Sequence, residues 1–243
     1  MKRVRFRDPA GAVRHGEWRD GQVHFADRSY DPTAVDLLAP CEPSKIVCVG
    51  RNYVEHADEL DNEVPDRPLL FLKGPNAVAA HGDTIELPGG DRRIEHEAEL
   101  GVVIGRQCRG LARENAMEAV AGYTCVNDIS NRTDQRAETN WIRGKAFDGA
   151  APMGPVVAPP EGVPPDASIT CDVNGERRQS GRLDLMVFDV PTLLAEITEL
   201  LTLEPGDVVA TGTPAGVGPL TDGDTVAIEI EGVGRLEHGV STP

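Results

Sequence analysis

The 243-residue sequence has no apolar run approaching the roughly 20 residues that span a bilayer, which argues against a membrane-spanning protein. The basic start, residues 1–11, is not followed by the apolar stretch of a secretory signal, and we therefore expect a cytoplasmic protein. Net positive charge is also missing, because 24 Lys and Arg stand against 40 Asp and Glu, a formal net charge of −16. Nucleic acid is therefore not an expected partner, since phosphate binding needs a basic surface.

Lysines are scarce as well, and the cysteines show no pairing motif. The five cysteines are odd in number and none form a CxxC pair, which favours buried, reduced thiols over a zinc site or disulfides. Only four lysines are present, so that 20 of the 24 basic residues are arginines. An acid-rich, lysine-poor surface is typical of proteins that stay hydrated in concentrated salt, and an ordinary acidic protein from a GC-rich genome is the alternative.

Strand-like segments dominate the sequence and do not alternate regularly with helices. This pattern predicts a β-rich α+β fold, a mixed β-sandwich roll rather than a doubly wound sheet. Residues 1–44 contain short strands and turns, and we expect them to form a small N-terminal β-rich segment ahead of a main domain at 45–243. A helix is predicted at 189–201, where an N-cap, an early proline and one apolar stripe coincide. Asn174 and Gly175 predict a hairpin turn.

A short helix is predicted at 52–60, directly after an apolar strand at 45–50. Asn52 is a candidate N-cap for this helix. His56 and Glu59 are three residues apart, so they share one face of the helix and can form a hydrogen bond. A histidine oriented by a carboxylate is a general-base pair, whereas a surface histidine beside an acid is the alternative interpretation.

Three carboxylates predict a metal site. Glu97 and Glu99 are two residues apart in a strand predicted at 96–104, so both project to the same side. Adjacent carboxylates repel each other and need a cation, a shared proton or open water. Asp128 follows another apolar strand and would add a third oxygen ligand, and an all-oxygen set favours Mg²⁺ or Mn²⁺ over zinc. His96 faces the other way in a regular strand, and we assign it to packing or hydrogen bonding.

Two further segments carry groups suited to an anionic substrate. Lys145 lies among glycine, alanine and aromatic residues, where its charge could stabilise an enolate or oxyanion, although a solvated surface lysine is the alternative. The glycine-rich loop at 211–218 could bind a carboxylate through backbone N–H groups and threonine hydroxyls. It lacks both the Gly-Lys-Ser/Thr of a Walker loop and the GxGxxG of a dinucleotide site.

Taken in order, these segments resemble the fumarylacetoacetate hydrolase family, especially its acylpyruvase-like and 2-hydroxyhepta-2,4-diene-1,7-dioate isomerase-like members. The matching strings are KIVCVGRNYVEHADE at 45–59, PLLFLK at 68–73, HEAELGVVIG at 96–105, GYTCVND at 122–128, GKAFD at 144–148 and LEPGDVVATGTPAGVG at 203–218. The order and spacing agree from about residue 45 to the end of the chain. Residues 1–44 carry little of the resemblance.

The resemblance implies a β-roll-like fold, a homodimer, and a lid that closes over bound substrate. The implied site residues are Glu97, Glu99 and Asp128 for Mg²⁺ or Mn²⁺, His56 and Glu59 on the lid, and Arg132, Gln135, Lys145 and Thr213 in the substrate pocket. One departure is visible at 131–135, where the acid is shifted by one position from the usual family pattern while Arg132 and Gln135 keep their places.

The implied activity is hydrolysis of the carbon–carbon bond of an acylpyruvate, of the fumarylpyruvate or acetylpyruvate type, through a metal-bound enolate. In that reaction His56, held by Glu59, activates water, and Lys145 supports the oxyanion. The same enolate would serve isomerisation of a 2-hydroxy-dienedioate, or tautomerisation or decarboxylation of oxaloacetate, and the sequence leaves these alternatives open. Two alternatives lie outside the enzymes. A non-catalytic metal-binding scaffold is disfavoured because the metal carboxylates and the lid pair are all present, and a structural domain whose acids are halophilic surface is disfavoured by the apolar flanks of Glu97 and Glu99.

Overall fold

The computed structural model describes residues 1–54 and 65–243, and strands account for most of the regular structure in those residues. The strands are β1 (Lys2–Arg7), β2 (Val13–Arg19), β3 (Gln22–Phe25), β4 (Arg28–Tyr30), β5 (Asp36–Leu37), β6 (Ile46–Gly50), β7 (Leu69–Lys73), β8 (Val78–Ala79), β9 (Thr84–Glu86), β10 (Ile94–His96), β11 (Ala98–Ile104), β12 (Val120–Asn127), β13 (Ser130–Asn131), β14 (Ala151–Ala158), β15 (Ser168–Val173), β16 (Glu176–Arg182), β17 (Val208–Ala210), β18 (Gly218–Pro219), β19 (Thr225–Ile230) and β20 (Gly234–Ser241).

Helices are short and few in the described residues. The α-helices are α1 (Arg132–Ala137), α2 (Ile142–Lys145) and α3 (Val190–Leu200), and the 3₁₀ helices are Pro32–Ala34, Pro75–Ala77, Arg113–Ala119, Pro160–Gly162 and Leu183–Leu185. None of the helices in this part of the chain is long and apolar enough to cross a membrane. The helix predicted at 52–60 lies mostly outside the described residues.

The strands form three sheets. The largest has the order β4-β3-β2-β1-β14-β12-β11-β17-β6-β7, with β5 paired to β1 and β8 paired to β14. A second sheet has the order β16-β15-β19-β20-β9, and a third consists of β13, β10 and β18. Pairing is antiparallel between most neighbours and parallel in three pairs, β17 with β6, β14 with β8 and β20 with β9. The predicted β-rich α+β, mixed β-sandwich architecture is therefore confirmed.

The alternation of β11 separates two buried cores. Leu100, Val102 and Ile104 belong to the large core, whereas Val103 belongs to a smaller core that also contains Val126. This division follows from the period of two along a strand, since successive side chains point to opposite faces of the sheet. The four cysteines inside these cores and the partly exposed fifth are all unpaired, as the sequence predicts.

Helix α3 covers one side of the large core. Leu193, Leu194 and Ile197 on its apolar stripe are fully buried. The Asp189 side chain accepts a hydrogen bond from the N–H of Thr192, so the predicted N-cap is present and the predicted helix is confirmed.

The hairpin predicted at Asn174 and Gly175 joins β15 to β16. Both residues have positive φ, 54° and 79°, as a type I′ turn requires. Beyond the turn the two strands pair through a register shift between Cys171 and Asp172, which leaves an extra residue in β16. This pairing of two residues against one is a β-bulge.

The N-terminal strands continue the largest sheet. Arg3 and Val4 of β1 pair with Val157 and Val156 of β14, so β1 to β4 extend the same hydrogen-bonded array. The segment also packs around a small core that includes Val156 of β14 and in which Phe6 is fully buried. A domain boundary after residue 44 stays a prediction, and the sheet itself is continuous across it.

Candidate active site

The register of β11 and β12 brings three carboxylates together. Ala98 pairs with Asn127, and the N–H of Asp128 donates to the carbonyl of Glu97 at 2.9 Å, so Glu97 and Asp128 lie opposite each other one step further along. Glu99 is two residues from Glu97 and therefore projects from the same face. One oxygen atom from each of the three carboxylates lies within 4.8 Å of the others, and all three residues are buried. The site is thus built by a single antiparallel strand pair.

The strand that carries these acids is interrupted, contrary to the prediction of a regular strand at 96–104. β10 ends at His96 and β11 begins at Ala98, with Glu97 between them. The N–H of Glu97 donates to Asn127 Oδ1 at 2.9 Å, and the N–H of Ala98 donates to Gln179 Oε1 at 3.0 Å. Two side-chain amide oxygens thus accept hydrogen bonds from the backbone N–H groups at the break.

Two lysines lie against the acids. Lys145 Nζ is 2.6 Å from Glu97 Oε2 and 2.7 Å from Asp128 Oδ2, and its side chain is buried, so it is not a solvated surface lysine. Lys73 Nζ is 2.6 Å from Asp128 Oδ1 and also donates to two main-chain carbonyl groups at 2.6 and 3.1 Å. Sequence reasoning did not single out Lys73, although it ends the string at 68–73 that carries the family resemblance.

Arg132 holds two of the buried acids from the start of α1. Its Nε donates to Glu95 Oε2 at 2.7 Å, its Nη2 pairs with Glu97 Oε1, and its Nη1 donates to Gln135 Oε1 at 2.9 Å. Arg93 Nε reaches the other oxygen of Glu95 at 2.5 Å. Glu95 was missed by sequence reasoning, because only its contact with Arg132, 37 residues away, distinguishes it from a surface acid.

The glycine-rich loop contacts the third acid through its backbone. The N–H of Gly212 donates to Glu99 Oε2 at 2.9 Å. Gly212 has φ +96°, and a Cβ there would lie 2.8 Å from Cβ of Asn52, so glycine is required on both counts. Asn52 Nδ2 donates to the carbonyls of Thr211 at 2.8 Å and Phe188 at 3.0 Å. The loop is therefore fixed against the end of β6.

Burial makes the charge balance of the site unusual. Four buried carboxylates (Glu95, Glu97, Glu99 and Asp128) face three buried cations (Lys73, Arg132 and Lys145). Burial, together with the charges of Asp128 and Glu97, raises the pKa of Glu99 well above its ordinary value. Burial alone would lower the pKa of Lys145, but the carboxylates of Asp128 and Glu97 outweigh it and the pKa is raised. Lys145 therefore stays protonated.

This donor set fits a divalent cation. Three carboxylates that converge on one point supply the hard oxygen ligands that Mg²⁺ and Mn²⁺ prefer. A cation between them would favour the ionised form of Glu99, which burial and the neighbouring carboxylates disfavour. Glu97, Glu99 and Asp128 are the residues that would hold it.

The acids open into a cavity of about 310 Å³. It is lined by all seven predicted site residues that the structure describes: Glu97, Glu99, Asp128, Arg132, Gln135, Lys145 and Thr213. The predicted residues His56 and Glu59 lie outside the described residues. Phe71 and Trp141 form an aromatic wall with ring centroids 5.5 Å apart, and Lys145 Nζ lies 4.9 Å from the Phe71 ring.

Two cavity-lining arginines, Arg51 and Arg136, were not singled out from the sequence. Among the residues that the structure describes, neither has an ion-pair partner. Arg51 has a left-handed backbone with φ 58°, which is uncommon for a residue other than glycine. Its neighbour Asn52 fixes that backbone through the hydrogen bonds described above, and strained residues of this kind occur preferentially at functional sites.

Comparison with known proteins identifies the family. The fumarylacetoacetate (FAA) hydrolase C-terminal family matches residues 45–241. A curated relative, the mitochondrial oxaloacetate tautomerase fahd-1 of Caenorhabditis elegans, is 43% identical over 190 residues, which cover 75% of this chain and 88% of the relative. The chain therefore belongs to the fumarylacetoacetate hydrolase family, and the resemblance seen in the sequence is confirmed.

Two solved structures are similar over the whole chain. A 5-carboxymethyl-2-hydroxymuconate delta-isomerase from Mycobacterium smegmatis has a TM-score of 0.91 and 38% identity, with 100% of this chain and 99% of that chain covered. A maleylpyruvate hydrolase from Sphingobium sp., in complex with manganese(II) and pyruvate, has a TM-score of 0.84 and 28% identity, with 100% and 99% covered. Members of the family are thus enzymes that include isomerases, hydrolases and a tautomerase.

Proposed function

We propose that this protein is a Mg²⁺- or Mn²⁺-dependent enzyme that hydrolyses the carbon–carbon bond of an acylpyruvate. The observation that carries the proposal is the convergence of Glu97, Glu99 and Asp128 at one end of a cavity that Lys145 and Arg132 also line. The Sphingobium hydrolase, whose structure contains manganese(II) and pyruvate, supports both the metal and the 2-oxo acid class.

The cation would supply Lewis-acid polarisation of the oxygen atoms of a 2-oxo carboxylate and coordination positions that three protein ligands leave open. The rest of the chemistry belongs to the side chains. Water adds across the bond, so that its hydroxyl ends on the distal acyl carbon and a hydrogen on the methyl carbon of pyruvate. The products are a carboxylic acid and pyruvate.

Lys145 is suited to stabilise the negative charge that develops on the substrate. Its Nζ is a buried, protonated donor at the boundary between the acids and the cavity, and electrostatic stabilisation is strongest where water is excluded. Arg132, Gln135 and Thr213 offer hydrogen-bond donors around the same space, which suits the carboxylate of the substrate.

His56 and Glu59 are proposed to activate the water. This role rests on the sequence, since a histidine held by a carboxylate is a suitable general base and both residues lie outside the described part of the chain. The described lining of the cavity contains no histidine.

Two arginines that line the cavity favour a dicarboxylate substrate. Arg51 and Arg136 line the cavity, and their guanidinium groups could pair with a second, distal carboxylate. Fumarylpyruvate carries such a group and acetylpyruvate does not. We therefore propose the fumarylpyruvate type as the better substrate, with Arg51→Met reducing this preference and leaving acetylpyruvate turnover nearly unchanged.

The test is turnover of fumarylpyruvate, acetylpyruvate and oxaloacetate with Mg²⁺, with Mn²⁺ and with EDTA. Loss of the acylpyruvate absorbance with equimolar pyruvate, abolished by EDTA and by Glu97→Gln, is the expected result. Because Glu97→Gln also alters the partners of Lys145 and Arg132, its folding is checked by circular dichroism. Formation of no pyruvate from either acylpyruvate would refute the hydrolase assignment.

Tautomerisation of oxaloacetate is the second candidate, favoured by the relative that is 43% identical and carries that name. It needs proton transfer at the carbon next to the keto group and no water, so it could proceed on the same acids and Lys145. Interconversion of the enol and keto forms of oxaloacetate without pyruvate formation would assign the protein as a tautomerase.

We also propose that the protein is a homodimer, as the family resemblance implies. β7 is an edge strand of the largest sheet in the described chain, and Leu72 on it is 52% exposed. An unpaired edge with an apolar side chain is a surface that a second copy could cover. Light scattering after gel filtration gives the mass, and a monomer of 26.0 kDa would contradict the proposal.

A further inference from the structure

Gln179 connects the glycine-rich loop at 211–218 to the break between β10 and β11, where Glu97 lies. It lies in β16 of the second sheet, and its side chain is fully buried. The bulge described above places Arg178 as the extra residue beside it, because Cys171 pairs with Gln179 and Asp172 pairs with Arg177. Bulges of this kind redirect a side chain and are common next to active sites.

The backbone of β16 lies unusually close to the glycine-rich loop. A Cβ on Gly216 would be 2.3 Å from the carbonyl oxygen of Arg178, and a Cβ on Gly181 would be 2.6 Å from Cβ of Pro214. Neither distance occurs for real side chains, so both glycines are needed for this approach. The approach brings the loop within hydrogen-bond distance of Gln179.

The Gln179 amide makes four contacts, which is its full capacity. Oε1 is 3.0 Å from the N–H of Ala98 and 3.0 Å from His96 Nδ1, and Nε2 is 2.7 Å from Thr213 Oγ1 and 2.8 Å from the carbonyl of Pro214. The orientation of the amide is determined by its backbone partners. The N–H of Ala98 can only donate and the carbonyl of Pro214 can only accept, so Oε1 and Nε2 cannot be exchanged.

The orientation of the Gln179 amide determines the role of the Thr213 hydroxyl in their hydrogen bond. Because Nε2 of Gln179 donates to it, the Thr213 hydroxyl must accept that bond, and its own proton is left for another acceptor. Thr213 lines the cavity, where an oxygen atom of an anionic substrate can accept this proton. The Thr213 proton is therefore directed away from Gln179 and can be donated into the cavity.

We propose that Gln179 is a positioning residue that orients the Thr213 hydroxyl as a hydrogen-bond donor for the substrate carboxylate. The same side chain also accepts a hydrogen bond from the N–H of Ala98. The substrate part of this inference rests on the proposed function, whereas the direction of the Gln179–Thr213 hydrogen bond does not.

The first experiment measures pyruvate affinity by calorimetry in the presence of saturating Mn²⁺. Gln179→Met and Thr213→Val are each expected to weaken pyruvate binding about tenfold, the loss for one hydrogen bond to a charged group. The double variant should bind about as weakly as either single variant, because both remove the same donor. Additive losses, or unchanged affinity in Gln179→Met, would overturn the proposal.

Mn²⁺ affinity without pyruvate separates positioning from general damage. It should change by less than about threefold in Gln179→Met. A tenfold loss would mean that Gln179 acts on the acids rather than on Thr213, and would also overturn the proposal. Thr198→Val is the matched control, since this buried hydroxyl bonds Leu194 and Leu111 far from the cavity; it should lower the melting temperature and leave both affinities unchanged.

Neutron diffraction from wild-type crystals in D₂O decides the hydrogen-bond direction even if Gln179→Met does not fold. The expected map shows deuterium on Gln179 Nε2 directed at Thr213 Oγ1, with the Thr213 deuterium turned away from Gln179. Deuterium from Thr213 directed at Gln179 would refute the inference. If the wild type binds no pyruvate, the proposed function fails while this measurement still tests Gln179.

Discussion

The two faces of the β11–β12 strand pair are both buried, yet they have opposite chemistry. One face places Leu100 and Cys125 in the large apolar core, beneath α3 and the second sheet. The other carries Glu97, Glu99 and Asp128, which face lysines and a cavity. The backbone ladder is common to both, so the difference lies in what each face meets. We infer that stability depends mainly on one face and chemistry on the other.

The largest expected effect is on the acidic face. Glu99→Gln should weaken Mn²⁺ binding by at least about 100-fold and should abolish turnover. Loss of a residue that only orients a metal ligand lowers metal affinity by up to about 100-fold, and loss of a ligand itself should cost at least as much. The melting temperature of the metal-free protein should not fall, because burial and the charges of Asp128 and Glu97 raise the pKa of Glu99 and disfavour its ionised form, and glutamine can still accept from the N–H of Gly212. Calorimetry with Mn²⁺ and thermal unfolding check the two parts.

Glu86→Gln is the control for this variant, since Glu86 is an exposed acid on β9 and should alter neither quantity. A marked loss of stability in Glu99→Gln would mean that the acidic face also supports the fold, and the proposed separation would be wrong.

The opposite result is expected on the apolar face. Leu100→Ala should lower the free energy of unfolding by about 2–5 kcal/mol, because the surrounding residues cannot fully fill the cavity that the substitution leaves. Mn²⁺ affinity of the folded variant should stay within about threefold of the wild type. Leu185→Ala, at a side chain that is 51% exposed, should change the unfolding free energy by less than about 0.5 kcal/mol. Urea unfolding and calorimetry test both faces with the same samples.

Acid should destabilise the protein through His238, which lies behind the acidic face and contacts Asn127 Nδ2 at 2.9 Å. Burial lowers the pKa of His238 to about 4. The unfolded chain binds this proton near pH 6.5 and the folded chain does not, so stability is lost as the pH falls from about 6.5 to about 4. The contribution reaches about 3 kcal/mol at most.

Urea unfolding at pH 7 and pH 5 of the wild type and of His238→Gln tests this contribution. The difference between the two proteins should shrink or reverse at pH 5. An identical pH dependence in both would exclude His238 as the source.

The smallest expected effect concerns the exposed acids, in contrast with the buried ones. If the acid-rich, lysine-poor surface reflects adaptation to salt, molar KCl screens its self-repulsion and should raise the melting temperature by about 2–4 °C, equivalent to about 1 kcal/mol. The loss of Mn²⁺ binding in Glu99→Gln should persist in KCl, since buried charges are screened much less. Melting that occurs no later in KCl than in dilute buffer would favour the ordinary acidic protein.

Local patterns were sufficient to predict much of the fold. The period of two along β11 indicated that Glu97 and Glu99 share a face, and the capping and apolar stripe of α3 indicated its bounds to within one residue. The prediction of a regular strand at 96–104 was wrong. Asn127 Oδ1 and Gln179 Oε1 accept hydrogen bonds from the N–H groups at the break, and the local pattern does not indicate these distant partners. Lys73 and Glu95 looked like an ordinary strand end and an ordinary surface acid.

The sequence by itself determined the strand-rich class, the carboxylate types and the family, because short-range periodicity and ordered motifs depend only on neighbouring residues. Only the tertiary structure decided which charges meet. Lys145 is 48 residues from Glu97, and Gln179 is 81 residues from Ala98, yet each pair lies within hydrogen-bond distance. Such pairings depend on sheet order and on close backbone approaches at glycines, and neither is encoded within a single segment.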